Sequence, residues 1–244
     1  DKIESGSVDL ILTDLPYGNM KNAPSTWDKL KTEWDITIEP KKVYDIANRI
    51  LRKKGKMILF SQEPYTTELI NCKSNVCFNY RATWEKDNFA NALCCNKNMV
   101  SFTEDILIFS KNYDFEGLHP LRDYFKNLLS FIGLKKKYII EKIGGRADHC
   151  FRVNSSQFEL CKKETYLDLI KQFSINNMDG FLNYTELERL NNKYTSTFNL
   201  WEGNKYKSNI LKYKKDYTGH HPTQKPVLLL EDLIKTFSNE NDLV

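Results

Sequence analysis

The sequence predicts an α/β protein with a parallel sheet and a mostly helical insert. Three observations carry this. Short apolar runs at Val8–Thr13 and Met57–Phe60 end in turn-forming residues, the signature of buried parallel strands. Between them, residues 40–51 follow a helical period, giving a strand–loop–helix–strand unit. From about residue 112 to 200 the pattern turns helical, then returns to α/β grammar.

The first strand, Val8–Thr13, is bounded by Gly6 and Pro16 and reads as central. Residues 19–39 contain Trp27 and Trp34 without a period and read as a long functional loop. Pro40 opens a helix with Val43, Ile46, Ala47, Ile50 and Leu51 on one face. Lys53, Lys54 and Gly55 are expected to close it. A second helix is expected to begin over Thr66–Asn71. "FNYRATWEK" and "EDILIFSK" read as strands, an antiparallel pair at one sheet edge.

In the insert, Leu121, Phe125, Leu128, Leu129 and Ile132 recur at helical spacing. Further helical patches cover Tyr138–Ile143, Glu164–Phe173 and Thr185–Leu190. Near the end, "HHPTQKPVLLLEDLIKTF" places Pro226 in the first turn of a helix. Its buried stripe is expected to be Val227, Leu230, Leu233, Ile234 and Phe237. The expected division is 1–111 (α/β), 112–200 (helical insert) and 201–244 (return to α/β).

The 244 residues are 41% hydrophobic and 13% aromatic, enough for a real core. No apolar run is long enough to span a bilayer. The start, "DKIESGSVDL", has neither the basic beginning nor the apolar segment of a secretory signal, so a cytoplasmic location is expected. The formal net charge of +4 is too mild to demand a polyanionic partner. Lys135-Lys136-Lys137 and "KYKSNILKYKK" suit a phosphate backbone, or simply a solvated face. The six cysteines lack metal-ligand spacing, so no metal is expected and reduced thiols are the reading.

The chemistry is expected at "DLPYG". Ligands of α/β sheets sit beyond the carboxyl ends of the strands. There Asp14 can accept a hydrogen bond from an amino group, and Tyr17 can stack on a flat ring. Pro16 stiffens the corner and Gly18 gives the backbone room. The plainer alternative is a strand-ending turn capped by Asp14.

"DLPYG" early and "HPTQKP", His221 to Pro226, late together resemble the β-class DNA amino-methyltransferases. That family's catalytic motif is (D/N/S)-P-P-(Y/F), and Leu15 stands here in place of the first proline. The family order is catalytic motif, target-recognition region, "HPTQKP"-type segment and then a glycine-rich cofactor loop. The first three occur here in that order. The resemblance implies an incomplete Rossmann-like methyltransferase sheet with a helical target-recognition subdomain. No D-P-F-x-G-S-G loop follows "NDLV". The expectation is therefore a chain ending before that loop, inactive by itself.

By the same resemblance the cofactor is S-adenosylmethionine and the partner is double-stranded DNA. A homodimer and a bacterial or phage source are also implied. Asp14, Leu15, Pro16 and Tyr17 become the catalytic corner. Asp14, His221, Thr223, Gln224 and Lys225 border the cofactor. Trp84, Lys86 and Asn88 line the base pocket. Asp in the first motif position leans toward adenine N6, with cytosine N4 the near alternative. The Asp14 carboxylate and the Leu15 carbonyl would accept the amino N–H bonds and free the nitrogen lone pair. The base must be flipped out to be reached, with Tyr17 as its platform.

Trp84 can equally be core, and Thr223 or Gln224 a helix cap. Lys225 opposes the helix dipole, so an anionic partner is expected beside it. In "LKKKYIIEKIGGRADHCFRVNSSQFEL" a short helix, a Gly144-Gly145 turn and a second helix would form a helix-turn-helix. Lys135, Lys136, Lys137, Arg146, His149, Arg152, Asn154 and Gln157 are then the DNA readers. A generic helical hairpin is the alternative there. A DNA-binding protein with a decayed catalytic half is the alternative for the whole chain.

Overall fold

A computed structural model of the chain describes residues 2–19, 35–90, 95–113, 117, 119–192, 194–217 and 223–244. It forms two compact units, Asp1–Asn112 with Ser196–Val244, and Tyr113–Thr195. No helix among the described residues is long and apolar enough to cross a membrane.

The first unit is a three-layer α/β arrangement. Its strands are β1 (Val8–Asp14), β2 (Leu51–Ser61), β3 (Val76–Ala90), β4 (Ser101–Lys111) and β5 (Ile210–Lys212). Among the described residues their order is β1-β2-β4-β3-β5. β1 pairs parallel with β2 and β3 with β5, but β4 runs antiparallel to both β2 and β3. The sheet is therefore mixed, not parallel. The β3–β4 pair is antiparallel as expected, but β4 lies inside the sheet rather than at its edge. β4 is buried from Ile106 to Lys111, which suits an inner strand.

Helices α1 (Pro40–Ile50) and α2 (Tyr65–Asn71) cover one face. They pack with Met57, Leu59, Leu107 and Phe109. Helix α7 (Val227–Phe237) covers the other, where Leu229, Leu233 and Phe237 meet Leu10, Ile58, Phe60, Ile106 and Ile108. The α1 face is Tyr44, Ala47 and Ile50, whereas Ile46 is exposed. The α7 stripe also differs from expectation. Val227 is exposed, and Asp232 and Thr236 are buried. Asp232 is held by Lys207 at 2.6 Å and the Trp201 indole at 2.9 Å, so a polar side chain can occupy that stripe.

Lys53-Lys54-Gly55 does not end a helix. α1 stops at Ile50, and these residues form a bulge within β2. The register jumps from Val8↔Leu51 to Leu10↔Lys56. Lys54 takes a left-handed φ of 66°. A Cβ at Gly55 would lie 3.0–3.1 Å from the carbonyl oxygens of Arg52, Asp9 and Val8. Glycine is there for close backbone approach, not for a helix cap.

The second unit contains α3 (Leu121–Ile132), α4 (Lys136–Ile143), α5 (Lys163–Phe173) and α6 (Tyr184–Asn192). Its core includes Leu121, Phe125, Leu128, Ile139, Phe158 and Tyr166. The Tyr124 and Tyr166 hydroxyls are paired, and Tyr166 donates to the Leu182 carbonyl at 2.6 Å. The expected helix-turn-helix is absent. After Gly144, residues 145–147 and 149–151 form two short 3₁₀ turns, and no α-helix starts before Lys163. Both turns are too short to serve as a recognition helix.

Candidate active site

Strand directions bring five segments to one edge of the sheet. β1 and β2 are parallel and end there at Asp14 and Ser61. Ser61 pairs with Asp105, so β4 begins at this edge. β3 is antiparallel to β4 and ends here, and β5 is parallel to β3 and ends here too. Side-chain alternation then chooses the face. Asp14 follows Leu10 and Leu12. Glu104 precedes Ile106 and Ile108. Lys86 follows Ala82 and Trp84. All those apolar residues belong to the α7 side of the sheet. Lys225 enters from the segment that leads into α7.

The four charged groups and Tyr17 form one network. Lys225 Nζ lies 2.6 Å from Asp14 Oδ2 and 2.9 Å from Glu104 Oε1. Lys86 Nζ lies 2.7 Å from Glu104 Oε2. The Tyr17 hydroxyl lies 2.6 Å from Asp14 Oδ1 and 2.7 Å from Glu104 Oε1. Its single proton is shared between two carboxylates. Burial, then the charges of Glu104 and Asp14, push the Tyr17 phenol far above its ordinary pKa, so it stays a donor. Burial alone would raise the Glu104 carboxyl. The ammoniums of Lys225 and Lys86 outweigh it and hold that group below its ordinary value.

Of the four charged groups only Asp14 is open. A third of its side chain is exposed, against 5–6% for Glu104, Lys86 and Lys225. A carboxylate has about four lone-pair sites. Tyr17 and Lys225 use one on each Asp14 oxygen, so each oxygen retains acceptor capacity. The corner can therefore receive N–H donors from outside without breaking its internal bonds.

The turn after Asp14 is fixed locally. Leu15 packs into the core on the α1–α2 side. Gly18 adopts φ +73°, and a Cβ there would come within 2.8 Å of Thr37 Cγ2. Its amide donates to Asp35 Oδ1 at 2.8 Å, a carboxylate that is itself buried. The Tyr17 ring carries Lys225 Nζ at 5.5 Å from its centroid, and the same ammonium is 5.1 Å from that of Phe60.

Among the expected base-pocket residues, Trp84 is core. It is buried and donates its indole N–H to the Tyr213 carbonyl at 2.8 Å. Lys86 lies over the Trp84 ring and is spent on Glu104. Asn88 is exposed, and its Oδ1 accepts the Phe89 amide. His221 lies outside the described residues. Thr223 and Gln224 are half-buried, and Gln224 donates to Asp216 Oδ2 at 3.1 Å. The anion expected beside Lys225 is present within the protein, as Asp14 and Glu104.

The residues expected to read DNA lie in the second unit, many in internal pairs. Arg146 meets Asp168 at 2.5 Å. Arg152 and Lys136 both meet Asp148, at 2.5 and 2.7 Å. His149 Nδ1 is 3.2 Å from the Gln157 carbonyl. Lys135 and Lys137 are exposed, the latter 4.0 Å from Glu141. Asn154 is exposed and lines a cleft of about 410 Å³ with Arg122, Lys126 and Ser155.

Glu104 and Asp35 were not foreseen. A signal for Glu104 existed: in "EDILIFSK" it keeps period-two register with Ile106 and Ile108, so it faces the core rather than water.

A protein-family model described as DNA methylase, N6_N4_Mtase, matches residues 8–244. No curated protein sequence matches the chain. Among solved structures, the M1.HpyAVI–SAM complex is similar at 15% identity and TM-score 0.47, over 98% of this chain and 70% of that one. TTHA0409 from Thermus thermophilus, described as a candidate DNA modification methylase, is similar at 14% identity and TM-score 0.29. That match covers 70% of this chain and 69% of the other.

Proposed function

The chain belongs to the N6/N4 DNA methylase family, and from that premise we propose that it methylates the N6 amino group of a flipped-out adenine in DNA. The single observation that carries this reading is the open Asp14 carboxylate at the end of β1. It is braced by Tyr17 and Lys225, yet each oxygen keeps acceptor capacity. An adenine amino nitrogen is a poor nucleophile because its lone pair is delocalised into the ring. N–H bonds accepted by Asp14 and by the Leu15 carbonyl draw that nitrogen toward tetrahedral geometry. The help is positional and electrostatic. A base within a duplex cannot reach this corner, so extrusion is required.

S-adenosylmethionine supplies the family's electrophilic methyl group. The corner fits a cationic donor of that kind, since its one solvent-reaching charge is the Asp14 carboxylate. Asp14 would hold the donor's positive end, with His221, Thr223, Gln224 and Lys225 as the neighbouring segment. Lys225 acts there through Asp14, because its ammonium is already engaged by two carboxylates. In the second unit we assign Lys135, Lys136, Lys137, Arg146, His149, Arg152, Asn154 and Gln157 to DNA contact. Contacts there would be mostly to phosphates, since the residues after Gly144 form 3₁₀ turns too short to serve as a recognition helix.

The test is methyl transfer from labelled S-adenosylmethionine to DNA, with nucleoside mass spectrometry of the product. N6-methyladenine from the unmodified protein, and none from Asp14→Ala, is expected. N4-methylcytosine would refute the choice of base, and normal labelling by Asp14→Ala would refute the mechanism.

A further inference from the structure

We propose that Glu104 is a positioning residue for methyl transfer: it draws Lys225 and Tyr17 partly away from Asp14 and so keeps Asp14 open to the substrate amino group. The inference rests on the reading that Asp14 receives that group.

Glu104 occupies a costly place. It is 6% exposed, on the face of β4 that Ile106 and Ile108 make apolar. Buried ion pairs are seldom better for stability than well-packed apolar residues. Its contacts divide cleanly. Oε2 is tied to Lys86 at 2.7 Å, which fixes the rotation of the carboxylate. Oε1 then points at the site, where it takes Lys225 at 2.9 Å and Tyr17 at 2.7 Å. Those are the same two donors that bind Asp14.

Without Glu104, the proton of Tyr17 and the protons of Lys225 have Asp14 as their remaining carboxylate partner. Asp14 would then be more fully neutralised and its lone pairs more fully used. It would be a poorer acceptor for an incoming amino group, although nothing in direct contact with that group had changed. Lys86 acts one step further back by holding Glu104 in place.

Two variants of the protein test this, Glu104→Gln and the pair Lys86→Met/Glu104→Gln. The single variant leaves Lys86 buried beside an uncharged partner and can lose the fold. The pair removes one charge of each sign and keeps the site neutral. Thermal melting identifies which variants are folded. Steady-state methylation then gives kcat, and KM for DNA and for S-adenosylmethionine. The expected result in the folded variants is a loss of kcat on the order of 10- to 100-fold, with both KM values within about threefold of the original. Wild-type kcat in the paired variant, or a loss confined to KM, overturns the inference. If Asp14→Ala is inactive in the same assay, that failure is the inference's alone. If Asp14→Ala is fully active, the underlying reading has failed instead.

Discussion

Replacing Lys225 by Met is the sharpest test of the ion network as a stabilising unit. Methionine keeps much of the stem's volume and removes the ammonium, so the cavity term is small. Two carboxylate contacts vanish, at 2.6 and 2.9 Å. Breaking a buried pair from one side costs about 3–5 kcal/mol. Glu104 keeps Lys86 at 2.7 Å, and Asp14 is partly hydrated, so the lower end, about 3 kcal/mol, is expected. With a urea m-value of about 2–3 kcal/mol/M, the unfolding midpoint should fall by about 1–1.5 M. A Lys225→Met/Glu104→Gln double variant restores the charge balance between Lys86 and Asp14. Its loss should be smaller than the sum of the single losses by about 1–3 kcal/mol. A single-variant loss below about 1 kcal/mol, or strict additivity, would refute the claim that these groups act as one network.

Tyr17→Phe keeps the ring but removes the proton shared by Asp14 and Glu104. A hydrogen bond to a charged group is worth about 1.5–3 kcal/mol, so the unfolding free energy measured in urea should fall by about that amount. The Glu104 carboxyl is held below its ordinary value of 4.5, so its stabilising contribution is present above pH 4.5 and is lost as pH falls through the folded-state value. Stability measured against pH should accordingly be flatter below pH 4.5 in Glu104→Gln than in the unmodified protein. Gly55→Ala places a methyl against three carbonyl oxygens in the β2 bulge and should destabilise by about 1–3 kcal/mol in a thermal melt. If Lys135 and Lys137 contact phosphates, replacing both with Ala should reduce the salt-dependence slope of DNA binding by about two; an unchanged slope removes them from the interface.

Much of the site was legible because it follows from local rules. The apolar run Val8–Thr13 had to be a strand, and the rule that ligands gather at carboxyl ends located Asp14. The motif before α7 located Lys225. Glu104 was harder to see, because its meaning depends on where β4 lies. As an edge strand, β4 would be covered by a neighbouring strand on one side only, leaving Glu104 less deeply buried. As an inner strand between β2 and β3, it sends the same side chain into the core. Strand order is set by long-range pairing, which periodicity does not encode. Gly55 misled for a related reason. A glycine after two lysines looks like a helix end, and only the parallel approach of β1 makes it a bulge. The helix-turn-helix failed because Gly144 and the buried Ala147, Cys150 and Phe151 are satisfied by two tight turns against the second unit's core.

The Lys225–Asp14 contact spans 211 residues of sequence. At a ribosomal pace of about 5–20 residues per second, Asp14 emerges some 10–40 s before its counter-ion. Throughout most of that interval Glu104 and Lys86, only 18 positions apart, have both been made and can already neutralise one another. The nascent chain thus carries half of its ion cluster prepaired and the other half waiting. The reactive corner is completed only once the segment leading into α7 has been made.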